Sequence, residues 1–207
     1  MYFWKLFVIF LLVAQVSVLA APADNRPVQD LPRYLNVAPG LFRGGQPSPK
    51  GLQELKDRGI KTVISLRHDP EDIGWEKEQV EKQGMKFINM PMDGRHQPSD
   101  AFLKDFLAIV TNEKLQPVFV HCELGQDRTG VMMALFREAV QGWTAKSAYE
   151  EMVRLGFNKH YVWLADSVFD YEEEHTGEKA GSRPYNVRAY DSLESTLTRN
   201  KKNKKPE

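Results

Sequence analysis

The chain contains a single cysteine, and the residues around it are typical of a site that acts on an anion. Cys122 and Arg128 bracket five residues in the run Val-His-Cys-Glu-Leu-Gly-Gln-Asp-Arg-Thr-Gly, residues 120–130. The run lies between an apolar segment typical of a buried strand and another typical of a buried helix. In such a loop, backbone N–H groups converge at a helix N-terminus, where the helix dipole also favours negative charge. The spacing therefore predicts a cradle for phosphate.

Each polar residue of this run has an expected task. The planar guanidinium of Arg128 can hold two phosphate oxygens, which a lysine does less well. The amides, the dipole and this guanidinium all favour the thiolate of Cys122, which would be a nucleophile beneath a bound phosphoryl group. We expect the Thr129 hydroxyl to donate to the sulfur, and His121 and Gly125 to hold the tight turn. The predicted substrate contacts within the run are Glu123, Leu124, Gly125, Gln126, Asp127 and Thr129.

The elements around the cysteine alternate between strands and helices. Short apolar or β-branched runs predict strands within 40–47 and at 62–66, 86–92 and 117–121, and predicted helices follow the first three. Three further helices are predicted at 131–140, 144–155 and 161–174. This alternation indicates an α/β fold with a central, mainly parallel sheet and helices on both faces. The phosphate-binding loop would then join a central strand to a buried helix.

Composition limits the functions that are open to the chain. Its 207 residues are 42% apolar and 27% charged, which indicates an ordinary globular domain and excludes a disordered or polytopic membrane protein. The 28 basic and 28 acidic residues balance, so no overall charge draws the protein to nucleic acid. Anion recognition must therefore be local. A single cysteine also excludes an intramolecular disulfide and a metal site with several thiolates.

The sequence divides into four parts. Residues 1–20 pass from Lys5 through an apolar run to small residues, as in a secretory signal peptide, although an uncleaved anchor helix has a similar pattern. A leader (21–39), the catalytic domain (40–175) and a polar, basic tail (176–207) are expected to follow. The protein is thus expected to be secreted or periplasmic, without stable membrane insertion once the signal is cut. The tail is expected to be solvated, with contact to anionic lipid, cell wall or polyphosphate as the alternative.

The signature resembles that of the cysteine-dependent phosphatase superfamily, which includes protein tyrosine phosphatases, dual-specificity phosphatases and tyrosine-phosphatase-like phytases. The family's pattern His-Cys-x5-Arg-Ser/Thr is matched by His121, Cys122, Arg128 and Thr129. Similar organisation extends from about Leu41 to Tyr171. The resemblance implies hydrolysis in two steps through a cysteinyl-phosphate intermediate, with no cofactor and no metal.

Cleavage of a phosphomonoester also needs a proton donor for the leaving oxygen. Asp93 follows the neighbouring predicted strand, and the segment 93–99 resembles the family's mobile acid loop, although Met-Pro-Met-Asp replaces the usual Trp-Pro-Asp. Asp127 is the alternative acid, because Asp-Arg-Thr resembles the loops of myotubularin-type and certain bacterial lipid phosphatases. Sites in open α/β sheets form at the carboxyl ends of strands, so the segments after Leu66, Met92 and His121 are expected to meet.

Two resemblances favour inositol polyphosphates as substrates. The His-Cys-Glu start of the signature resembles phytase-like members, and Asp-Arg-Thr resembles phosphoinositide phosphatases. Five basic residues are expected at the mouth of the site, where they could meet several phosphates: Arg43, Arg67, His68, Arg95 and His96. The alternatives are a dual-specificity or tyrosine protein phosphatase acting on envelope or host phosphoproteins, and a catalytically silent module that binds phosphate.

Overall fold

The sheet of the computed structural model, which describes residues 29–181 and 183–184, places the signature at its centre. Its strands are β1 (Leu35–Ala38), β2 (Leu41–Gly44), β3 (Thr62–Ser65), β4 (Lys86–Asn89) and β5 (Val118–His121). Their order is β1-β2-β5-β3-β4; β1 and β2 are antiparallel, and the other neighbours are parallel. The central strand β5 is therefore the one that leads into Cys122.

Helices cover both faces of this sheet. They are α1 (Pro49–Asp57), α2 (Pro70–Lys82), α3 (Asp100–Val110), α4 (Asp127–Gln141), α5 (Ala145–Arg154) and α6 (Val162–Thr176). Buried residues of α1 and α2 pack on one face, and those of α3 to α6 pack on the other. The predicted fold class, including a loop between a central strand and a buried helix, is confirmed.

Side chains of β5 contribute to both halves of the core. Val118 and Val120 belong to the cluster that α3 to α6 cover, whereas Phe119 belongs to the cluster under α1 and α2. All three are fully buried. Burial of each side chain contributes roughly 1.5–3 kcal/mol to the free energy of unfolding. The strand that leads into the signature is therefore firmly held on both faces.

Hydroxyl caps fix the start of three helices. Ser48 accepts a hydrogen bond from the Gly51 amide at 3.1 Å, and Ser99 accepts one from Phe102 at 3.3 Å. Thr144 caps α5 in the same way. The predicted caps at Ser48 and Ser99 are confirmed, and each satisfies an N–H group that the first helical turn leaves without a partner.

The folded domain begins before the predicted boundary at residue 40. Strand β1 falls within the predicted leader, and Leu31 and Tyr34 are buried. Tyr34 stacks on Phe42 and Phe119 at centroid distances of 5.5 and 6.0 Å. This aromatic contact and the pairing of β1 with β2 draw residues 31–38 into the core.

Other element boundaries also differ from those predicted. Helix α2 begins at Pro70 rather than near residue 75, because a proline and two acidic residues suit its first turn. Strand β4 ends at Asn89, where its register with β3 ends.

The predicted signal peptide and residues 185–207 of the predicted tail lie outside the described residues. None of the helices in the described ranges has the length and apolar character to cross a membrane.

Candidate active site

Cys122 lies at the junction between β5 and α4, at the floor of an open cavity of about 460 Å³. The cysteine is only 3% exposed, and the Gly125 amide donates to its Sγ at 3.3 Å. Helix α4 begins at Asp127, so the sulfur is close to a helix N-terminus. We call this space the Cys122 cavity; its lining consists of His68, Asp93, Gly94, Arg95, Cys122, Glu123, Leu124, Asp127, Arg128, Tyr161, Trp163 and Leu164.

Gly125 is required by the shape of the loop. Its φ of +72° lies in the left-handed region, and a Cβ there would stand 2.4 Å from the Gly44 carbonyl group. The turn after β2 packs directly against the loop, and the Gln46 amide donates to the Glu123 carbonyl at 2.9 Å. The expected role of Gly125 in a tight turn is confirmed, and its cause is close contact with the neighbouring strand.

Arg128 connects the ends of three strands. Its Nη1 lies 3.4 Å from the Leu66 carbonyl oxygen, 3.3 Å from the Met92 carbonyl oxygen and 3.3 Å from Nδ1 of His68. A guanidinium can only donate, so all three atoms act as acceptors. The predicted meeting of the segments after Leu66, Met92 and His121 is therefore confirmed.

Asp93 is held by its own loop, residues 93–98. Its Oδ1 accepts hydrogen bonds from the amides of Arg95 (2.8 Å) and His96 (3.2 Å), and its Oδ2 lies 2.7 Å from His96 Nδ1. The bond from the Arg95 amide, with the contacts of His96, holds the pKa of Asp93 below its usual value. In this arrangement Asp93 favours its carboxylate, the form that accepts a proton.

Asp127, the alternative acid, also lines the Cys122 cavity. Its Oδ1 accepts a hydrogen bond from the Asn158 amide at 2.8 Å, which ties the start of α4 to the segment before α6. Both candidate acids therefore face the same space, and the choice between them remains a prediction.

Several predicted substrate contacts line the cavity, but three of the five basic residues expected at its mouth do not. His68, Arg95, Glu123, Leu124 and Asp127 are among the lining residues. Arg67 instead bonds Gln46 Oε1 at 3.0 Å and pairs with Asp72 and Asp69. The expectation for Arg67 is wrong because these partners turn its guanidinium towards α2.

The predicted places of Arg43 and His96 are also wrong. Arg43 is buried beneath the loop, where its Nη2 lies 2.5 Å from the Gly125 carbonyl oxygen. Burial lowers the pKa of Arg43 to about 10, and the charge of Cys122 opposes this fall. The side chain of His96 is 80% exposed and turned onto Asp93 rather than into the cavity.

Two residues of the signature differ from their expected roles. Thr129 is buried, and within the described ranges its hydroxyl has no hydrogen-bond partner, so the predicted bond to the sulfur is not formed. Gln126 packs against Gly156 and is not part of the cavity lining. Helix α4 carries the Thr129 side chain into the core, and Gln126 is half-buried at the N-cap of the same helix.

A buried polar group supports the signature from the other face of the sheet. His121 Nε2 lies 2.9 Å from Glu76 Oε1, and His121 Nδ1 lies 3.0 Å from the Cys122 carbonyl oxygen. Burial raises the pKa of Glu76, but the charge of His121 and hydrogen bonds that include one from Gln46 bring it below its usual value. Sequence reasoning missed Glu76, although its spacing from buried Val80 places a carboxylate on the apolar face of α2.

Tyr161 and Trp163 were also missed. Both line the Cys122 cavity, and their ring centroids are 5.3 Å apart. The Trp163 indole N–H donates to the Gly94 carbonyl oxygen at 3.0 Å. No local pattern marks these residues, because α6 reaches the cavity only through the packing of the whole domain.

A family model described as DSP-PTPase phosphatase fused to NAD+ kinase matches residues 31–166. The chain belongs to this DSP-PTPase phosphatase family. The matched segment contains β1 to β5, the signature and Trp163. The membership agrees with the resemblance that the signature shows.

Relatives of the DSP-PTPase domain are named for different phosphatase activities. The dual specificity protein phosphatase TpbA of Pseudomonas aeruginosa (strain UCBPP-PA14) is 28% identical over 144 residues, which are 70% of this chain and 64% of TpbA. The probable tyrosine-protein phosphatase DG1060 of Dictyostelium discoideum is 30% identical over 63% of this chain and 84% of its own. The inositol diphosphatase SIW14 of Saccharomyces cerevisiae is 27% identical over 65% of this chain and 49% of its own length. The chain thus spans less than two thirds of the length of TpbA.

Solved structures agree on the fold. The crystal structure of P. aeruginosa TpbA has a TM-score of 0.58 at 25% identity, covering 66% of this chain and 83% of that one. The SIW14 catalytic core has a TM-score of 0.60 at 21% identity and covers 73% of this chain and 92% of that one. At this identity the similarity establishes only a shared fold.

Proposed function

We propose that this protein hydrolyses phosphomonoesters through a cysteinyl-phosphate intermediate and that aryl phosphates such as phosphotyrosine are its preferred substrates. The observation that carries the proposal is that Cys122, Arg128 and Asp93 open into one cavity whose lining also includes Tyr161 and Trp163. A nucleophile, a phosphate clamp and a proton donor are the groups that the reaction needs. The aromatic rings suit an aryl leaving group.

In the first step, the phosphate group binds over the loop amides and Arg128. The Cys122 thiolate attacks phosphorus, so the S–P bond forms while the P–O bond to the leaving group breaks. Asp93 in its acid form gives its proton to the departing oxygen. The Gly125 amide and the N-terminus of α4 stabilise the negative charge throughout.

In the second step, water takes the place of the leaving group. The Asp93 carboxylate accepts a proton from that water while its oxygen attacks phosphorus. The S–P bond breaks, inorganic phosphate leaves, and the thiolate returns to the Gly125 amide. Asp93 thereby regains the proton that it gave to the leaving group in the first step, and its lowered pKa favours the carboxylate form that takes part in the second.

The charges around the cavity favour one phosphate over many. The basic lining residues are Arg95, Arg128 and His68, and they face three carboxylates, Asp93, Glu123 and Asp127. An inositol polyphosphate needs a surplus of cations around a single ring. Because Arg43, Arg67 and His96 do not line the cavity, its lining has no such surplus of cations.

Hydrolysis of inositol polyphosphates is the second candidate. Relatives named inositol diphosphatases, such as SIW14 and DSP3 of Arabidopsis thaliana, match 65% of this chain. Arg95 and His68 at the cavity are the residues that would meet a second phosphate.

The test compares kcat/KM for a phosphotyrosyl peptide and for inositol hexakisphosphate. We expect the peptide to be preferred, Cys122→Ser to abolish turnover of both, and Asp93→Asn to lower kcat by about 10². Asp127→Asn is the matched control, since it changes the other carboxylate in the same cavity. A preference for inositol hexakisphosphate would replace the first candidate with the second. If Asp127→Asn is the damaging change, the acid is Asp127.

Export of the protein is a separate proposal, supported by the apolar run within residues 1–20. Expression of the full chain in a bacterium, followed by fractionation and N-terminal sequencing, tests it. A mature protein outside the cytoplasm that begins near residue 21 is expected. Full-length protein in the cytoplasm would contradict it.

A further inference from the structure

Resting on the proposed function, we propose that Trp163 is a positioning residue that holds the Asp93 loop over the Cys122 cavity. Its indole N–H donates to the Gly94 carbonyl oxygen at 3.0 Å. This carbonyl belongs to the residue directly after Asp93. The bond therefore fixes the backbone from which the candidate acid projects.

The Asp93 loop depends on a few contacts from outside itself. It has no helix or strand of its own, and the bonds of Asp93 to Arg95 and His96 lie within the loop. Hydrogen bonds from other parts of the described chain reach the segment 92–97 at its start, middle and end. The Met92 amide donates to the Leu66 carbonyl at 3.2 Å, and Arg128 donates to the Met92 carbonyl. Trp163 donates to the Gly94 carbonyl, and Asp170 accepts from the Gln97 side chain at an exposed site.

Binding of a substrate phosphate changes which of these contacts hold the Asp93 loop. The Arg128 guanidinium has to turn to the phosphate oxygens, and its bond to Met92 is already long at 3.3 Å. The Gln97 contact with Asp170 is exposed to water, so it holds the loop weakly. The Met92 amide still holds the backbone before Asp93 through Leu66, and Trp163 is then the contact that holds the backbone directly after Asp93.

Trp163 is itself well placed to act as an anchor. It lies in the first turn of α6, its ring packs against Tyr161, and it is part-buried at the cavity wall. Gly94 adopts a φ of +71°, and a Cβ at this position would lie 3.7 Å from Cδ of Arg128. The loop thus passes between Arg128 and Trp163, which fits a backbone segment held from both sides.

The consequence depends on the leaving group. A phenol that is already acidic departs without a proton, whereas the tyrosyl oxygen, with a pKa of about 10, needs one. Trp163→Phe retains an aromatic ring and removes only the donor. We expect this variant to lower kcat/KM for a phosphotyrosyl peptide about tenfold, which is the effect of one lost positioning bond, and to change kcat/KM for difluoromethylumbelliferyl phosphate less than twofold. The comparison uses kcat/KM because this quantity covers only the steps up to departure of the leaving group, whereas kcat also includes the second step, in which Asp93 acts on water for both substrates.

Trp143→Phe is the matched control. Trp143 stacks under Arg137 at 4.6 Å and does not line the cavity, so neither substrate should be affected. In an Asp93→Asn background, Trp163→Phe should have no further effect, because the group that it positions is gone. Turnover of the umbelliferyl substrate also reports that each variant is folded.

Equal losses of kcat/KM for both substrates in Trp163→Phe would overturn the proposal, since they would mean that Trp163 shapes the pocket rather than positions Asp93. Unchanged turnover of the peptide would overturn it as well. The Cys122→Ser variant separates these failures from failure of the proposed function. If Cys122→Ser keeps its turnover, Cys122 is not the nucleophile and the proposed function is wrong. If Cys122→Ser is inactive but the effect of Trp163→Phe does not depend on the leaving group, only the proposed role of Trp163 is wrong.

Discussion

In the proposed mechanism, Asp93 has opposite tasks in the two steps. As an acid it must hold a proton, but the Arg95 amide and His96 lower its pKa. As a base it must be ionised, and the same contacts help. The rate of the first step should therefore follow the small protonated fraction of Asp93, which falls as pH rises above its pKa.

His96→Ala tests this balance. Loss of the ring removes the contact at 2.7 Å, so the pKa of Asp93 should rise towards its usual value. A higher pKa leaves more Asp93 protonated at a given pH, and the basic limb of the profile of kcat against pH should move upward. We expect kcat for a phosphotyrosyl peptide near pH 7 to increase roughly two- to five-fold. His175→Ala, on an exposed part of α6, should leave the profile unchanged. A basic limb at lower pH would contradict the argument.

Residues whose role depends on the loop itself could be predicted from the sequence. Cys122, Gly125 and Arg128 lie where their spacing places them, because a tight loop between strand and helix leaves little freedom. Arg67 and His96 could not be placed, since a long or exposed side chain turns towards whichever partner is near. For Arg67 those partners are Gln46 and Asp72, which are close only in the folded chain.

At the scale of an element, helix α4 contains a buried carboxylate that its apolar pattern does not predict. The segment 131–140 was expected to be buried, and Glu138 within it is buried too. Neither of its carboxylate oxygens has a hydrogen-bond partner in the described part of the chain. Burial, with the charge of Glu172, raises the pKa of Glu138 to about 9. The folded protein therefore keeps a proton on this group at neutral pH.

Glu138→Gln should remove a pH-dependent loss of stability. The unfolded chain releases this proton near the usual pKa of 4.5, whereas the folded chain keeps it to about 9. Stability from this group is thus complete below pH 4.5 and is lost as pH rises towards 9. Thermal unfolding should show a Tm for the variant about 3 °C or more above the parent at pH 8, and a smaller gain at pH 5. Glu150→Gln, exposed on α5, is the control. A gain that shrinks with rising pH would refute this account.

Strand β1 could not be predicted from local pattern. It has four residues, lies at the edge of the sheet and follows a segment rich in proline. Its hydrogen bonds are supplied by β2 in an antiparallel pair, with an irregular register near Asn36. Such a strand is stable only because the rest of the sheet is present.

At the scale of the molecule, the site depends on the parallel sheet bringing distant segments to one edge. Arg128 contacts the Leu66 carbonyl, 62 residues away, and the Met92 carbonyl, 36 residues away. The rule for strand ends predicts this meeting. It does not predict the place of α6, which packs against α4 and α5 and brings Trp163, and Tyr161 directly before the helix, to the cavity.

Because one guanidinium joins these segments, oxyanion binding should stabilise the whole fold through Arg128. Orthovanadate at about 100 times its Kd should add about 2.7 kcal/mol, which raises Tm by about 5–10 °C. Arg128→Ala should lose this rise, and it should also melt lower without anion, since the strand ends lose their common donor. Arg67→Ala is the matched control: Arg67 lies outside the Cys122 cavity, so the rise should persist. A rise that disappears in Arg67→Ala but survives in Arg128→Ala would mean that the anion binds at the other guanidinium, and the cavity would have to be reassigned.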